Sequence, residues 1–190
     1  MNEQRLIIGI TGASGVVVGV RLLELLRNRD IETHLVISKA AEMALAYETD
    51  LQLKDVRALA SVHHAVGALG AAISSGSFPT LGMVIAPCSI RTMSEIATGV
   101  TTTLLTRAAD VVLKERRRLV LALRETPLHL GHLRTMTALA EMGAVIAPIA
   151  PAFYPRPESV CDIVNHTAGR LLDLFGIETG AVHRWEGPGN

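Results

Sequence analysis

The chain has 190 residues, 49% of them apolar, and equal numbers of basic and acidic side chains, 18 of each. This length and composition fit a single domain over residues 1–190 with a sizeable buried core. Because the net charge is zero, no overall field attracts nucleic acid or an anionic membrane, so we expect neither as a partner. Any site that binds an anion must therefore depend on a local group of side chains or backbone amides.

The cysteines and the N-terminus favour a cytoplasmic protein. Cys88 and Cys161 are too few for a disulfide framework, which indicates a reducing compartment. The apolar run after the polar residues 1–5 is too short for a signal peptide. No segment approaches the roughly 20 apolar residues of a membrane span.

Short apolar runs alternate with amphipathic stretches along the chain. The runs predict strands covered on both faces at 6–10, 34–37, 81–86, 119–123 and 144–147. The intervening stretches predict helices at 16–29, 39–48, 92–97, 104–116, 129–142 and 158–175, while 51–69 is ambiguous and partly helical. Strands separated by helices indicate a mainly parallel sheet with helices on both faces.

Ligands of open parallel sheets bind outside the carboxyl ends of the strands. Small and hydroxyl side chains follow several predicted strands, and a few charged or aromatic ones follow the others: Gly12, Ser14, Gly15, Ser38, Lys39, Cys88, Ser89, Thr92, Arg124, Glu125, Tyr154 and Arg156. This set suits a cofactor that carries a phosphate and a polar ring edge.

The turn after the first strand reads Gly9-x-x-Gly12-x-x-Gly15. Glycine lets the backbone approach a ligand closely, and the following helix N-terminus favours anions. The spacing differs from the dinucleotide fingerprint, and Ser38 stands where an acid would hold a ribose hydroxyl, so the pattern favours a mononucleotide over NAD. A tight turn without a ligand explains the motif equally well.

Two further segments allow both a structural and a functional interpretation. Ser89 can cap the helix that follows it, or its hydroxyl and that of Thr92 can hold a flavin edge or a phosphate. Arg107 and Lys114 lie seven residues apart and so share a helix face. Arg107 has small or apolar neighbours and therefore needs an anion, whereas 116–118 resembles a solvated helix end.

Glu125 follows an apolar strand directly, a good position for proton transfer, although a buried ion pair with a neighbouring arginine is an alternative. His129 and His132 have a spacing that would place two metal ligands on one helix face, but exposed or capping histidines are the favoured interpretation and no metal is expected.

His63 and His64 are predicted on the surface of a helix. Cys88 is predicted to be a small buried residue rather than a nucleophile.

Taken together, the sequence resembles the UbiX/Pad1 flavin prenyltransferase family almost from end to end. The resemblance is carried by residues 9–15 (GITGASG), 32–39 (ETHLVISK), 73–78 (ISSGSF), 87–89 (PCS), 106–111 (TRAADV) with 114–115 (KE), 124–128 (RETPL) and 151–154 (PAFY). So many blocks in one order make it specific.

The resemblance implies a Rossmann-like, three-layer flavoprotein fold and a homododecamer whose sites can borrow residues from neighbouring subunits. It implies transfer of a dimethylallyl group from dimethylallyl phosphate to N5 and C6 of reduced FMN, without a metal. The product would serve UbiD-type decarboxylases. The implied FMN-binding positions are Gly12, Ala13, Ser14, Ser38, Ser89, Ile90, Arg91, Thr92 and Arg107.

The same resemblance assigns four residues to the phosphate of the prenyl donor: Lys114, Arg124, Tyr154 and Arg170. It assigns proton handling to Glu125 and Ser14, with Glu48 lining the pocket. Trp185 and Tyr154 can face an allylic cation with their π-clouds. The C-terminal helix and tail, 158–190, would close over the bound substrate.

The chain departs from the family pattern at three places near the flavin. Arg91 replaces the usual lysine, Glu95 replaces a small or apolar residue, and 99–103 (GVTTT) replaces an aromatic residue followed by Ser-Asp-Asn. Two alternative functions remain: a flavin-dependent cysteine decarboxylase, which would need an Asn absent from 87–91, and a non-catalytic flavin-binding subunit of an aromatic-acid decarboxylase.

Overall fold

A computed structural model describes residues 4–187 of the chain. Its helices and strands follow one another in this order: β1 (Gln4–Ile10), α1 (Val16–Leu26), β2 (Ile31–Ile37), α2 (Lys39–Glu48), α3 (Leu53–Arg57), β3 (Val62–His64), a 3-10 turn (Ala72–Ser74), β4 (Gly82–Cys88), α4 (Ile90–Ala97), α5 (Leu104–Lys114), β5 (Arg118–Leu123), α6 (Leu130–Glu141), β6 (Val145–Ile146) and α7 (Val160–Asp173). Within this part of the chain, no helix is long and apolar enough to cross a membrane.

The six strands form one sheet in the order β3-β2-β1-β4-β5-β6, and every pair in it is parallel. The chain order reverses between β1 and β4, which creates a crevice at the carboxyl ends of these two strands. The prediction of a parallel sheet with alternating helices is therefore confirmed.

The prediction missed one strand. β3 lies inside the ambiguous segment 51–69 and pairs with β2 over only three residues. His63 and His64 belong to this strand, so their assignment to a helix surface was wrong. A strand this short, at a sheet edge and containing two adjacent histidines, has no hydrophobic period by which the sequence could reveal it.

Helices cover both faces of the sheet because the strands are apolar on both sides. One apolar core joins the sheet to α1, α2, α3 and α7, and includes Leu22, Leu45, Val56 and Leu172. The second core joins the opposite face to α4, α5 and α6, and includes Met93, Leu105 and Leu139. Two layers of helices around one sheet make the predicted three-layer fold.

Candidate active site

The carboxyl ends of β1 and β4 are held together by the hydroxyl of Thr11. The Thr11 hydroxyl donates to the Pro87 carbonyl oxygen at 2.8 Å and accepts from the Ser89 amide at 2.8 Å. Thr11 is buried, so water does not compete for these bonds. The crevice between the two strands therefore has a fixed width.

The glycine turn after β1 is required by its surroundings. A side chain on Gly12 would collide with Ala40 at the start of α2, and Gly15 has a φ of 97°. The first amides of α1 are already satisfied, because the Glu48 carboxylate accepts from Gly15 N at 2.8 Å and Val16 N at 3.3 Å. Glu48 thus occupies the place where the turn alone would favour an external anion.

Ser38 and Ser89 cap the two helices that open at the crevice. The Ser38 hydroxyl accepts from Ala41 N at 3.1 Å, and the Ser89 hydroxyl accepts from Thr92 N at 3.3 Å. The predicted capping role of Ser89 is confirmed. Both hydroxyls also line a cavity, so capping and ligand contact are compatible.

This cavity, which we name the edge cavity, has a volume of about 480 Å³. It collects seven of the predicted site residues from the ends of four different strands: Gly12, Ser38, Ser89, Ile90, Arg91, Thr92 and Glu125. Val66, Thr103 and Thr106 also line it. Thr106 belongs to a family block and Thr103 to the unusual segment 99–103, but the sequence assigned neither of them a role in the site.

Glu95, one of the departures from the family pattern, also lines the edge cavity. Its carboxylate accepts a hydrogen bond from Arg91 Nε at 2.8 Å along α4. Only 20% of the Glu95 side chain is exposed, against 85% of Arg91. The pair therefore places a carboxylate inside the cavity wall and its counter-ion at the rim.

Glu125 lies at the end of β5, where it was predicted, but it is exposed. Its carboxylate accepts from the Thr126 amide at 2.9 Å. The alternative of a buried ion pair with an arginine is therefore wrong. The adjacent Arg124 donates its amide to the Cys88 carbonyl oxygen at 3.2 Å, which ties the β5 end to the β4 end.

A second cavity, which we name the tail cavity, runs beside β6 between α7 and the tail that follows it. Its volume is about 640 Å³, and Tyr154, His166, Arg170, Arg184 and Trp185 are among its lining residues. The Tyr154 and Trp185 rings meet edge to face with centroids 5.7 Å apart. A loop, a helix and the tail therefore meet at this cavity.

The cations of the tail cavity share one carboxylate. Arg170 donates to Asp173 at 2.7 Å, and Arg184 donates to both oxygens of Asp173 at 2.8 and 2.9 Å. Burial alone would raise the pKa of Asp173, but the hydrogen bonds from Arg184 and Arg170 outweigh it and the net shift is downward. Asp173 therefore stays ionised and holds both guanidinium groups at the cavity.

Arg107 and Lys114 line neither of these two cavities. Arg107 has the anion that its surroundings demanded, because it donates to Asp110 at 2.8 Å. Lys114 pairs with Glu115 at the far end of α5, next to the amino end of β5. The nine residues from Leu105, at the edge cavity, to Lys114 span about 14 Å of helix. Within one chain, Lys114 therefore lies away from the other predicted phosphate ligands.

Ser14 and Ala13 lie in the turn between β1 and α1, where Ser14 is exposed.

Cys88 is fully buried, as predicted, and burial raises the pKa of its thiol to about 12. A thiol in that state is a poor nucleophile. His129 caps α6 through its ring nitrogen, which accepts from Gly131 N at 3.0 Å, so the capping interpretation is confirmed.

His166 and Arg184 were not predicted, although both line the tail cavity. His166 precedes Arg170 by four residues on the predicted last helix, a spacing that places two side chains on one face. This spacing could have identified His166 from the sequence. Arg184 lies in an irregular tail, so only the three-dimensional contact with Asp173 reveals it.

Comparison with known proteins gives close full-length relatives. A family model described as Flavoprotein matches residues 1–172. The flavin prenyltransferase UbiX of Escherichia coli K12 is 60% identical over 187 residues, which is 97% of this chain and 99% of that protein. The likeness therefore extends over both cavities.

Two solved structures superpose closely on this chain. The crystal structure of AnUbiX (PadA1) in complex with FMN and dimethylallyl pyrophosphate is 47% identical, with a TM-score of 0.96 over 98% of this chain and 99% of that one. The dodecameric FMN-dependent UbiX-like decarboxylase from E. coli O157:H7 is 49% identical, with a TM-score of 0.95 over 97% and 100%. The predicted Rossmann-like flavoprotein fold is confirmed.

Proposed function

The chain belongs to the UbiX flavin prenyltransferase family, and we propose that its two cavities divide the two substrates of that reaction between them. The edge cavity would hold reduced FMN and the tail cavity the phosphate end of a dimethylallyl donor. The observation that carries this proposal is the grouping of the predicted residues. Most flavin positions line one cavity, and Tyr154, Arg170 and Trp185 line the other.

The edge cavity has the chemistry that a flavin mononucleotide needs. Ser38, Ser89, Thr92 and Thr106 offer hydroxyl groups, and Gly12 lets a planar ring approach the backbone. Ala13, Ser14 and the Ile90–Arg91 amides complete the proposed flavin contacts. FMN supplies the nucleophilic ring atoms N5 and C6 when bound, while the protein positions them.

The tail cavity offers cations and aromatic faces. Guanidinium groups bind phosphate in a bidentate manner and neutralise its charge as it leaves, so Arg170 and, from the β5 end, Arg124 are the proposed phosphate ligands. Trp185 is 64% exposed and packs on Tyr154. These two rings can stabilise positive charge on the dimethylallyl group while the tail shields it from water.

Proton handling is assigned to residues at the strand ends. Ring closure at C6 releases one proton, and the exposed Glu125 carboxylate at the rim of the edge cavity is the proposed base. Ser14 lies in the adjacent turn as a hydrogen-bonding partner. Glu48 fixes that turn through its bonds to the first amides of α1.

A neighbouring copy of the chain is proposed to complete the site. Lys114 and Arg107 match phosphate and flavin positions of the family, yet α5 carries Lys114 away from the edge and tail cavities of its own chain. Large apolar side chains are exposed on α2 and α6, including Tyr47 at 87%, Met43 at 58% and Leu130 at 60%. Such surfaces mark interfaces, which supports a homododecamer in which α5 of one chain reaches the site of another.

The product is proposed to serve a UbiD-type decarboxylase in the cytoplasm, where the reduced flavin and the two free cysteines would both be stable. Neither alternative function is favoured. Segment 87–91 lacks the Asn of a cysteine decarboxylase, and flavin storage alone would not need the cations and rings of the tail cavity.

The test is anaerobic incubation of the protein with reduced FMN and either dimethylallyl phosphate or dimethylallyl pyrophosphate, without added metal. We expect a flavin whose mass increases by one dimethylallyl group, with one donor preferred. Protein that binds FMN but leaves it unmodified with both donors would contradict the proposed reaction. Protein that binds no FMN would contradict the edge-cavity assignment as well.

A further inference from the structure

His166 is buried beside the tail cavity, and its Nδ1 atom has no hydrogen-bonding partner among the described residues. Only 9% of the residue is exposed, and its Nδ1 atom is inaccessible and makes no hydrogen bond. A buried polar atom without a partner costs about 1–3 kcal/mol. Such an atom in a folded protein therefore calls for an explanation.

The position of His166 connects it to the proposed phosphate ligands. It lies one helical turn before Arg170 on α7, and both residues line the tail cavity. The Tyr154 ring meets the His166 ring edge to face at 5.7 Å. His166 thus touches one proposed phosphate ligand and shares a helix face with another.

The charged and titratable groups around His166 come from every element packed against it. Around the ring they are Arg170 and Asp173 on α7, Tyr154 in the preceding loop, and His183 and Arg184 in the tail. His166 also lines an adjoining cavity, whose charged residues are Arg21, Arg156, Glu158 and Asp162. Arg21 is turned toward Asn165, to which it donates at 2.6 Å. Cations thus predominate on the tail-cavity side.

These surroundings keep the imidazole neutral when no anion is bound. Burial lowers the pKa of His166, and the neighbouring Arg170 and His183 side chains lower it further, while Asp173 opposes them. A phosphate bound at Arg170 would offset the cations with negative charge, and an opposite charge favours the protonated imidazole. Donor binding and protonation of the ring would then support each other.

We propose that His166 is a further phosphate-site residue of this enzyme, which takes up a proton when the phosphate end of the prenyl donor enters the tail cavity. The inference rests on the proposed function, because it requires the donor phosphate beside Arg170. It gives the buried imidazole, whose Nδ1 atom has no hydrogen-bonding partner among the described residues, an anion in the cavity that the residue lines. It also adds a further cation to the phosphate site only while the phosphate is present.

The test is calorimetric titration of the FMN-loaded, assembled protein with inorganic pyrophosphate in two buffers of different ionisation enthalpy, at pH 6 and pH 8. The difference in heat between buffers gives the protons taken up. His166→Gln keeps hydrogen-bonding capacity but cannot be protonated, and His166→Asn is a second such variant if the first folds poorly. His63→Gln removes an imidazole far from the cavity and is the control.

We expect wild type and His63→Gln to take up more protons at pH 6 than His166→Gln, whose affinity at pH 6 should fall about fivefold and at pH 8 hardly at all. Titration of the pyrophosphate itself is common to all variants and cancels. Equal proton uptake by wild type and His166→Gln would overturn the inference while leaving the proposed function intact. Wild-type protein that binds no pyrophosphate would overturn both.

Discussion

The Thr11 hydroxyl and the Ser89 amide, 78 residues apart in the chain, are joined by a hydrogen bond of 2.8 Å across the β1–β4 crevice. The same hydroxyl donates to Pro87. Because Ser89 also caps α4, Thr11 determines where the first turn of that helix faces the edge cavity.

Replacing Thr11 by valine should weaken FMN binding. Valine matches threonine in shape but leaves the Ser89 amide without its partner, which costs about 1–3 kcal/mol, while the Pro87 carbonyl keeps only its bond from the residue 11 amide. We expect an FMN affinity at least tenfold lower, measured by flavin fluorescence on titration. Thr11→Ser keeps both bonds and should remain close to wild type, so equal losses in the two variants would contradict this role.

Glu125→Gln should bind FMN normally but slow its prenylation. The amide retains the size of the side chain but cannot accept a proton, so we expect a reduction on the order of 100-fold in turnover. Rapid-mixing kinetics under anaerobic conditions measure this directly. Glu125→Asp shortens the side chain but keeps the base, and its activity should exceed that of the glutamine variant. Full activity in Glu125→Gln would remove Glu125 from the proton-transfer step.

Arg170→Ala should mainly raise the KM for the prenyl donor. Its guanidinium is 52% exposed and pairs only with Asp173 in the described part of the chain, and Arg184 continues to neutralise that carboxylate in the variant. Stability should therefore change little. Arg170→Lys keeps the charge without the bidentate geometry and should give an intermediate KM. An unchanged KM in Arg170→Ala would exclude Arg170 from the phosphate site.

The location of Lys114 predicts complementation between subunits. At prenyl-donor concentrations well below the raised KM, Lys114→Ala and Arg170→Ala should each have little activity as pure assemblies. If Lys114 reaches the site of a neighbouring chain, a mixed assembly regains some sites with both cations intact. We expect activity to reappear when the two variants are co-expressed or exchanged. A mixture of Arg124→Ala and Arg170→Ala, which affects two residues of the same site, should regain less.

Failure of the Lys114→Ala and Arg170→Ala mixture to regain activity, with mixed assemblies verified by mass, would contradict a shared site.

The surroundings of Lys114 suggest a further variant. A methyl group on Gly76 would collide with the Glu115 carboxylate and lie 2.7 Å from Lys114 Nζ, so Gly76→Ala should displace the Lys114–Glu115 pair. We expect it to act in these mixtures as Lys114→Ala does.

The stability of the fold should decrease in mild acid because of a histidine pair between β2 and β3. His34 Nδ1 and His64 Nε2 are 3.0 Å apart, and His34 Nε2 lies 3.1 Å from Glu32. One proton serves the bond between the two rings, and protonation of both would place two cations in contact. Burial, the main cause, lowers the pKa of both His34 and His64.

A folded-state pKa below the unfolded value of about 6.5 means that the unfolded chain binds more protons there. Stability is therefore complete above that pH and declines as the pH falls below it. We expect a loss on the order of 1 kcal/mol between pH 7.5 and pH 5 in denaturant titrations. His64→Gln should reduce this slope. His129→Asn, which replaces an exposed cap, should keep it, and an unchanged slope in His64→Gln would contradict the assignment.

The sequence by itself determined the class of fold and the chemistry of the strand ends. Short continuous apolar runs that alternate with amphipathic helical stretches are typical of strands buried on both faces, and the residues after such strands meet at one edge of a parallel sheet. Gly12, Ser38, Ser89 and Glu125 could therefore be placed together without coordinates. The blocks shared with the family then identified the ligand class.

Only the tertiary structure decided which of these residues share a cavity within one chain. Hydrophobic period reports whether a side chain is buried, but not which distant side chain it touches. For this reason the helix spacing of Arg107 and Lys114 did not reveal that Lys114 lies near the amino ends of the strands, on the opposite side of the sheet from the strand ends that form the edge cavity. Contacts between segments far apart in the chain likewise determine three other features. These are the strand that contains His63 and His64, the hydrogen bonds between Glu48 and the start of α1, and the burial of the His166 ring.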